Sequence, residues 1–251
     1  MFSLLLRYSI VSVLMTILFL TGCSQDALNQ DDMESGEFIK DEAGENLNSE
    51  TGEDLALPPV EFEDGTLAES IYQRRSHRNY KERTLDLSEI GYLLWAAGGL
   101  SVDGITGPTR VYPSAGGLYP LDFYLVAGEV AGLSAGVYRY NHTEHNLIPV
   151  ISGDFRDRLA EAALGQGFIA DAPASIVLVA YYERTKSRYG ERGERYVHLD
   201  AGYASQNIYL VATEMGLGTV AVGAFDDTAL ADVIQTSGDP LMAMPIGEIN
   251  Q

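Results

Sequence analysis

The chain has 251 residues, of which 46% are hydrophobic, with 36 Asp and Glu against 16 Lys and Arg and a formal net charge of −20. That balance excludes a basic nucleic-acid-binding protein. A single cysteine excludes a disulfide framework and a cysteine-rich metal centre.

The N-terminal 23 residues carry one basic residue, Arg7, then an apolar run from Tyr8 to Leu20, then small residues. This is the layout of a secretory signal, and the run is short for a bilayer core of about 30 Å. Its end, "LTGC", resembles the lipobox of bacterial lipoproteins, which makes Cys23 the lipidation site. The expectation is an exported protein, lipid-anchored on the periplasmic or cell-surface side of a bacterial membrane. From 24 to 64 the chain holds fourteen Asp or Glu against one lysine, Lys40. Such a tract buries too little apolar surface to offset its ordering entropy and reads as a disordered acidic tether. The remaining 187 residues, 65–251, have a net charge of −8 and suit one domain.

Within that domain a helix is expected over 66–73, with Leu67, Ile71 and Tyr72 on one side. It leads into "RRSHR", where Arg74, Arg75 and Arg78 surround Ser76. A second helix, over 86–99, is expected to be capped by Ser88 and stopped by Gly98–Gly99. Strands follow over 121–128, 136–141 and 145–152, then a helix over 153–164 capped by Asp154. The β-branched run 174–182 reads as a buried strand. Over 196–216, Val197, Ala201, Ala204, Ile208, Val211 and Met215 form one apolar face and Leu199, Tyr203 and Leu210 a second. Such a helix is sandwiched in a core or a subunit interface. A strand over 219–225, a helix over 226–235 and a strand over 242–249 complete an α+β pattern.

Three arginines in five residues repel one another unless water or an anion separates them. In an acidic chain they read either as a solvated patch or as a pocket for a phosphorylated ligand, since a guanidinium fork and a hydroxyl both suit phosphate. Rival motifs carry less. "GLGTVA" (216–221) has dinucleotide-binding spacing but follows a helix and opens a strand, the reverse of that motif's order. "YPSAGG" offers Ser114 as a nucleophile but lacks the glycine two residues before it. His142 and His145 lie on an expected surface turn, and no metal site is expected.

In order, "RRSHRNY", "YPSAGGLYPLDFYLV", "YGERGERYVHLDAGYASQNIYLVATEMGLGTVAVGAF" and "MPIG" resemble the nitroreductase superfamily, and within it the SagB-type dehydrogenases. The resemblance implies a nitroreductase-like α+β fold, a central mostly antiparallel sheet flanked by helices, in an intertwined homodimer. It implies FMN as cofactor, with Arg74, Arg75, Ser76 and Arg78 on its phosphate and ribityl chain. Pro113, Ser114, Ala115, Gly116 and Gly117 would approach the ring from the opposite subunit, and Val222, Gly223 and Ala224 would pass under its reactive nitrogen.

The family's peptide-modifying oxidases carry a Lys-Tyr pair where this chain has Arg188 and Tyr189. Arginine does not lose a proton as a base must, so Tyr189 keeps a proton role while Arg188 does not replace the lysine. The expected activity is hydride transfer between an organic small molecule or peptide and flavin, with quinone or another acceptor taking the electrons. The alternatives are an NAD(P)H-dependent nitro or quinone reductase and a non-catalytic flavin- or peptide-binding lipoprotein.

Overall fold

The computed structural model describes residues 55–58, 67–101 and 107–249. The expected signal segment, Cys23 and most of the acidic tether lie outside them. All the described residues belong to one compact unit, Asn48–Gln251.

The strands, in chain order, are β1 (Leu55–Ala56), β2 (Leu100–Ser101), β3 (Thr109–Arg110), β4 (Leu121–Ala127), β5 (Gly136–Asn141), β6 (Asn146–Ser152), β7 (Ala174–Ala180), β8 (Leu217–Thr219) and β9 (Asp239–Glu248). Seven of them form one sheet in the order β1-β6-β5-β4-β7-β9-β8, with every neighbouring pair antiparallel. The helices are α1 (Leu67–Gln73), α2 (Leu87–Gly98), α3 (Arg156–Ala162), α4 (Phe168–Asp171), α5 (Tyr182–Tyr189), α6 (Arg192–Glu214) and α7 (Asp227–Ile234). The expected α+β class is the observed one.

Strand β7 lies inside the sheet between β4 and β9, and every residue of it is buried. Its side chains alternate between two cores, as strand geometry requires. Ile176 and Leu178 join Leu121, Phe123 and Leu125 of β4 beneath α2 and α6. Val177 and Val179 join Tyr124 and Val126 beneath α3 and α7. A strand covered on both faces needs no polar alternation, which is why 176–180 reads as a continuous apolar run. Each such side chain contributes roughly 1.5–3 kcal/mol by leaving water.

Several boundaries differ from expectation, each for a physical reason. Helix α2 is capped by Asp86 rather than Ser88, and the Asp86 amide donates to Glu89 at 2.8 Å to close a capping box. Asp154 lies two residues ahead of α3, where its carboxylate accepts from the Arg156 amide. The expected strand 219–225 stops pairing at Thr219 and resumes only at Val222, which exchanges two hydrogen bonds with Ala243. In that register Val220 faces Pro245, which has no N–H to give. Within the expected tether, Leu55–Ala56 pairs with β6 and Leu57 is buried. His145 holds this segment, its Nε2 bonded to the Pro58 carbonyl at 3.0 Å and its Nδ1 to the Tyr140 hydroxyl at 2.8 Å.

Helix α6 begins four residues before the expected start, and α5 was not expected. The sequence of α5, "YERTKSRY", buries only Thr185 and so has no apolar stripe to read. The two helices are joined at Gly190 and touch at Gly193, where a Cβ would lie 2.9 Å from the Lys186 backbone. Gly193→Ala should therefore lower stability by about 1–3 kcal/mol, although the same change in an open helix raises it. Urea denaturation checks the sign.

Candidate active site

Helix α1 ends at Gln73, and the chain continues alongside β8. Ser76 pairs with Thr219 in parallel, and the His77 amide donates to the Thr219 carbonyl at 2.9 Å. Extended backbone sends alternate side chains to one side, which puts Arg74, Ser76 and Arg78 together. The Arg74 guanidinium lies 5.1 Å from the Tyr209 ring centroid and the Ser76 hydroxyl 3.0 Å from the Tyr209 hydroxyl. Arg78 lies 5.9 Å from the Phe168 ring. Arg75 turns back and donates to the Tyr72 and Arg74 carbonyls, both at 2.8 Å. Part of its donor set thus closes the C-terminus of α1.

Among the described residues, none of these three guanidiniums meets a carboxylate within ion-pair distance. Burial, with the Arg75 charge adding to it, pushes His77 below the usual imidazole range, so the cluster gains no further cation from it at neutral pH.

Tyr209 joins this cluster to the segment after β8. Its hydroxyl accepts the Ala221 amide at 2.8 Å, at the point where the chain has left the ladder. Val222 is buried, and Gly223 and Ala224 are exposed. Gln166 donates to the Ala224 carbonyl at 3.0 Å. The 74–78 and 222–224 residues singled out in the sequence are therefore brought to one place. Tyr209, Phe168 and Gln166, which link them, were not read as site residues. A tyrosine in a long helix, a phenylalanine opening a four-residue helix and a glutamine just ahead of it carry no pattern that announces such a role.

The second group forms around "PSAGG". Pro113 is exposed, and Ala115–Gly117 make one 3-10 turn. Gly116 and Gly117 have φ of +65° and +68°, a region that suits glycine. A Cβ on Gly116 would lie 2.7 Å from the Tyr189 hydroxyl and 3.1 Å from an Arg188 guanidinium nitrogen. The C-terminal end of α5 thus rests on this turn, and Arg188 and Tyr189 meet Gly116 within one chain.

Asp200 of α6 holds the turn from beneath. Its carboxylate accepts the Ser114 hydroxyl at 2.5 Å, and Ser114 in turn accepts the Tyr119 amide at 2.9 Å. Asp200 is 2% exposed. Burial pushes its carboxyl above the usual carboxylate range, while the bonds from Ser114 and the Ala115 amide pull the other way. Ser114 therefore pairs with an acid and not with a histidine. His198 bonds to the Tyr182 hydroxyl at 2.6 Å, so no nucleophile–base pair forms at Ser114.

Both groups are anchored on α6, at Asp200 and at Tyr209. Nine residues in a helix amount to about 13.5 Å of rise and half a revolution. The two groups therefore leave opposite flanks of the helix, and among the described residues no hydrogen bond, ion pair or ring contact links them.

The raised Asp200 pKa has a definite sign. The folded chain holds that proton more tightly than the unfolded chain, so its stabilising effect is present at low pH and is lost as pH rises through the raised value. Asp200→Asn keeps an acceptor for Ser114 and removes the titration. Melting curves between pH 4 and pH 7 should show the variant gaining on the wild type as pH rises.

Residues 71–248 match the model of the Nitroreductase family. A Methanocaldococcus jannaschii protein assigned to the nitroreductases is 39% identical over 196 residues, 78% of this chain and 98% of that protein. The microcin B17-processing protein McbC of Escherichia coli is 27% identical over 149 residues, 56% of this chain and 55% of McbC. The crystal structure of a Ralstonia eutropha protein, also assigned to the nitroreductases, superposes with a TM-score of 0.68 and 28% identity, covering 79% of this chain and 90% of that one. With the fold, the ordered motifs and the family match over the same stretch, the chain belongs to the nitroreductase family.

Proposed function

We propose that the chain is an FMN-dependent oxidoreductase of the SagB type, lipid-anchored through Cys23 outside the cytoplasm and working as a homodimer. The observation that carries this reading is the side formed by Arg74, Ser76 and Arg78, cationic and, among the described residues, unpaired with any carboxylate, tied through Tyr209 to the backbone of 221–224. The residues fit the cofactor. Two guanidiniums and a hydroxyl on one side suit a phosphate dianion, and an exposed Gly223–Ala224 backbone admits a flat ring. Bound there, FMN would supply hydride-transfer chemistry between two substrates that take turns.

The chain's own residues then have distinct tasks. Arg74, Ser76 and Arg78 hold the phosphate and ribityl end, while Arg75 is partly occupied at the end of α1. Ser114, fixed by Asp200, keeps the 114–117 turn in a shape whose bare glycines permit close approach. Tyr189 presents a phenol beside Gly116 and can hold or pass a proton there. Arg188 cannot act as a base and serves by charge alone.

Because the two groups diverge from α6, one complete site draws its 74–78 and 222–224 part from one copy and its 113–117 part from the other. Exposed apolar side chains support the pairing. Leu199 and Tyr203 on the outer side of α6 are 47% and 46% exposed, and Leu67, Ile71 and Tyr72, expected on one side of α1, are 63%, 55% and 79% exposed. Export removes the chain from the cytoplasmic NAD(P)H pool, which favours dehydrogenation of an organic small molecule or peptide, with a quinone as one acceptor.

The visible spectrum of the purified protein tests this reading. A yellow protein is expected, bleached by one substrate and restored by another. Arg74→Ala and Arg78→Ala each remove a charged contact of about 1.5–3 kcal/mol, a loss of roughly ten- to a hundredfold in FMN affinity. A protein that stays colourless after FMN is supplied ends the proposal.

A further inference from the structure

Where α5 meets α6, two arginines and two tyrosines form a stacked run. The Arg188 guanidinium lies 5.6 Å from the Tyr189 ring centroid. The Tyr189 ring meets Tyr196 edge-on, 5.1 Å between centroids and 83° between planes. Arg192 donates from Nε to the Tyr196 hydroxyl at 3.0 Å and lies 5.9 Å from that ring. Both guanidiniums are exposed, and among the described residues neither meets a carboxylate within ion-pair distance.

The acids nearby do not neutralise this run. Glu191 is engaged by Lys186 at 3.2 Å, and Arg184 is held by Asp122 at 2.7 Å. Over 182–195 that leaves Arg188, Arg192 and Arg195 against Glu183 and Glu194, an excess of one positive charge in a domain that is acidic as a whole. An aromatic face fixes a guanidinium in place while its edge donors stay free, and that edge matches an oxyanion in bidentate fashion. At the other end of the run, the Tyr189 hydroxyl and the Arg188 guanidinium sit against Gly116, on the turn that approaches the cofactor in the proposed site.

We propose that this run is the recognition site for an organic anion, whose charged end is bound by Arg188 and Arg192 while its carbon body lies along Tyr189 toward Gly116. Naming the occupant a substrate rests on the oxidoreductase reading above; the anion site itself does not. The step is binding alone. It makes Arg188 a specificity-determining residue, and a neutral substrate of the same shape binds more weakly.

Benzoate and benzamide have nearly the same shape and differ in charge. Titration calorimetry of each into the detergent-solubilised full chain compares them directly, with flavin content read from the absorbance of the same samples. Benzoate should bind at least tenfold more tightly than benzamide, and that margin should shrink as salt is raised. Arg188→Gln should abolish the margin, mainly by weakening benzoate, whereas Arg188→Lys should keep part of it. Equal binding of the two ligands, no benzoate binding at millimolar concentration, or benzoate affinity unchanged by Arg188→Gln would each overturn the proposal. A colourless protein that still discriminates through Arg188 keeps the anion site and removes the flavin reading; a yellow protein indifferent to charge does the reverse.

Discussion

The seating of α6 on the sheet governs everything built on it. Val197, Ala201, Ala204, Ile208 and Ala212 recur at three- and four-residue intervals and are all buried. That stripe fixes the rotation of a 23-residue helix about its own axis, leaving no freedom in where its flanks point. With the stripe inward, Asp200 lies on one flank and Tyr209 on the other, and each secures a different loop. The site geometry is thus set by core packing and not by the loops themselves. A polar residue introduced into the stripe would disturb both groups at once.

Charge is distributed with the same economy. In a domain with eight more acids than bases, the paired carboxylates are drawn off into structural contacts. Asp122 takes Arg184, Glu248 takes Lys81 and Arg83, and Asp154 takes Arg156. Those of them that are open to solvent, such as Lys81–Glu248, add little stability. Their effect is to use up partners, so that among the described residues guanidiniums without an ion-pair partner remain at 74–78 and at 188–195. In water a lone arginine is satisfied by solvent. Several without acids on one side of a short segment form a positive potential that attracts anions.

How much of this could be read in advance depended on whether the determinant was local. β5 was legible to the residue, and β7 to within two residues, because strand propensity and turn signals agreed there. The cationic segment, the small-residue turn and the 222–224 stretch were legible as motifs. The structure joins the first and third, and joins the second to Arg188 and Tyr189. The missed features depend on the partner strand or helix. The break after Thr219 is caused by Pro245, which lies twenty-six residues away in sequence and opposite Val220 in space. Helix α5 has no apolar stripe, because it is held by a glycine contact with α6. Asp200 and Tyr209 look like ordinary positions on a helix until the rotation of that helix is known.

The uncovered apolar surface and the separation of the two groups have one cause. A helix that presses one face to the core and anchors a loop on each flank has only its outer side left, and Leu199 and Tyr203 occupy it. Burying those residues against a second copy removes their cost in water, roughly 25 cal/mol per Å² of apolar area. In the proposed homodimer, the same contact brings the second copy's 113–117 turn towards the first copy's 74–78 segment. It also excludes water near the arginines, and a charge interaction there strengthens as the local dielectric falls. On that proposal assembly and cofactor retention are one equilibrium: dilution that separates the copies would also weaken the hold on a phosphate, even though every arginine remains in place.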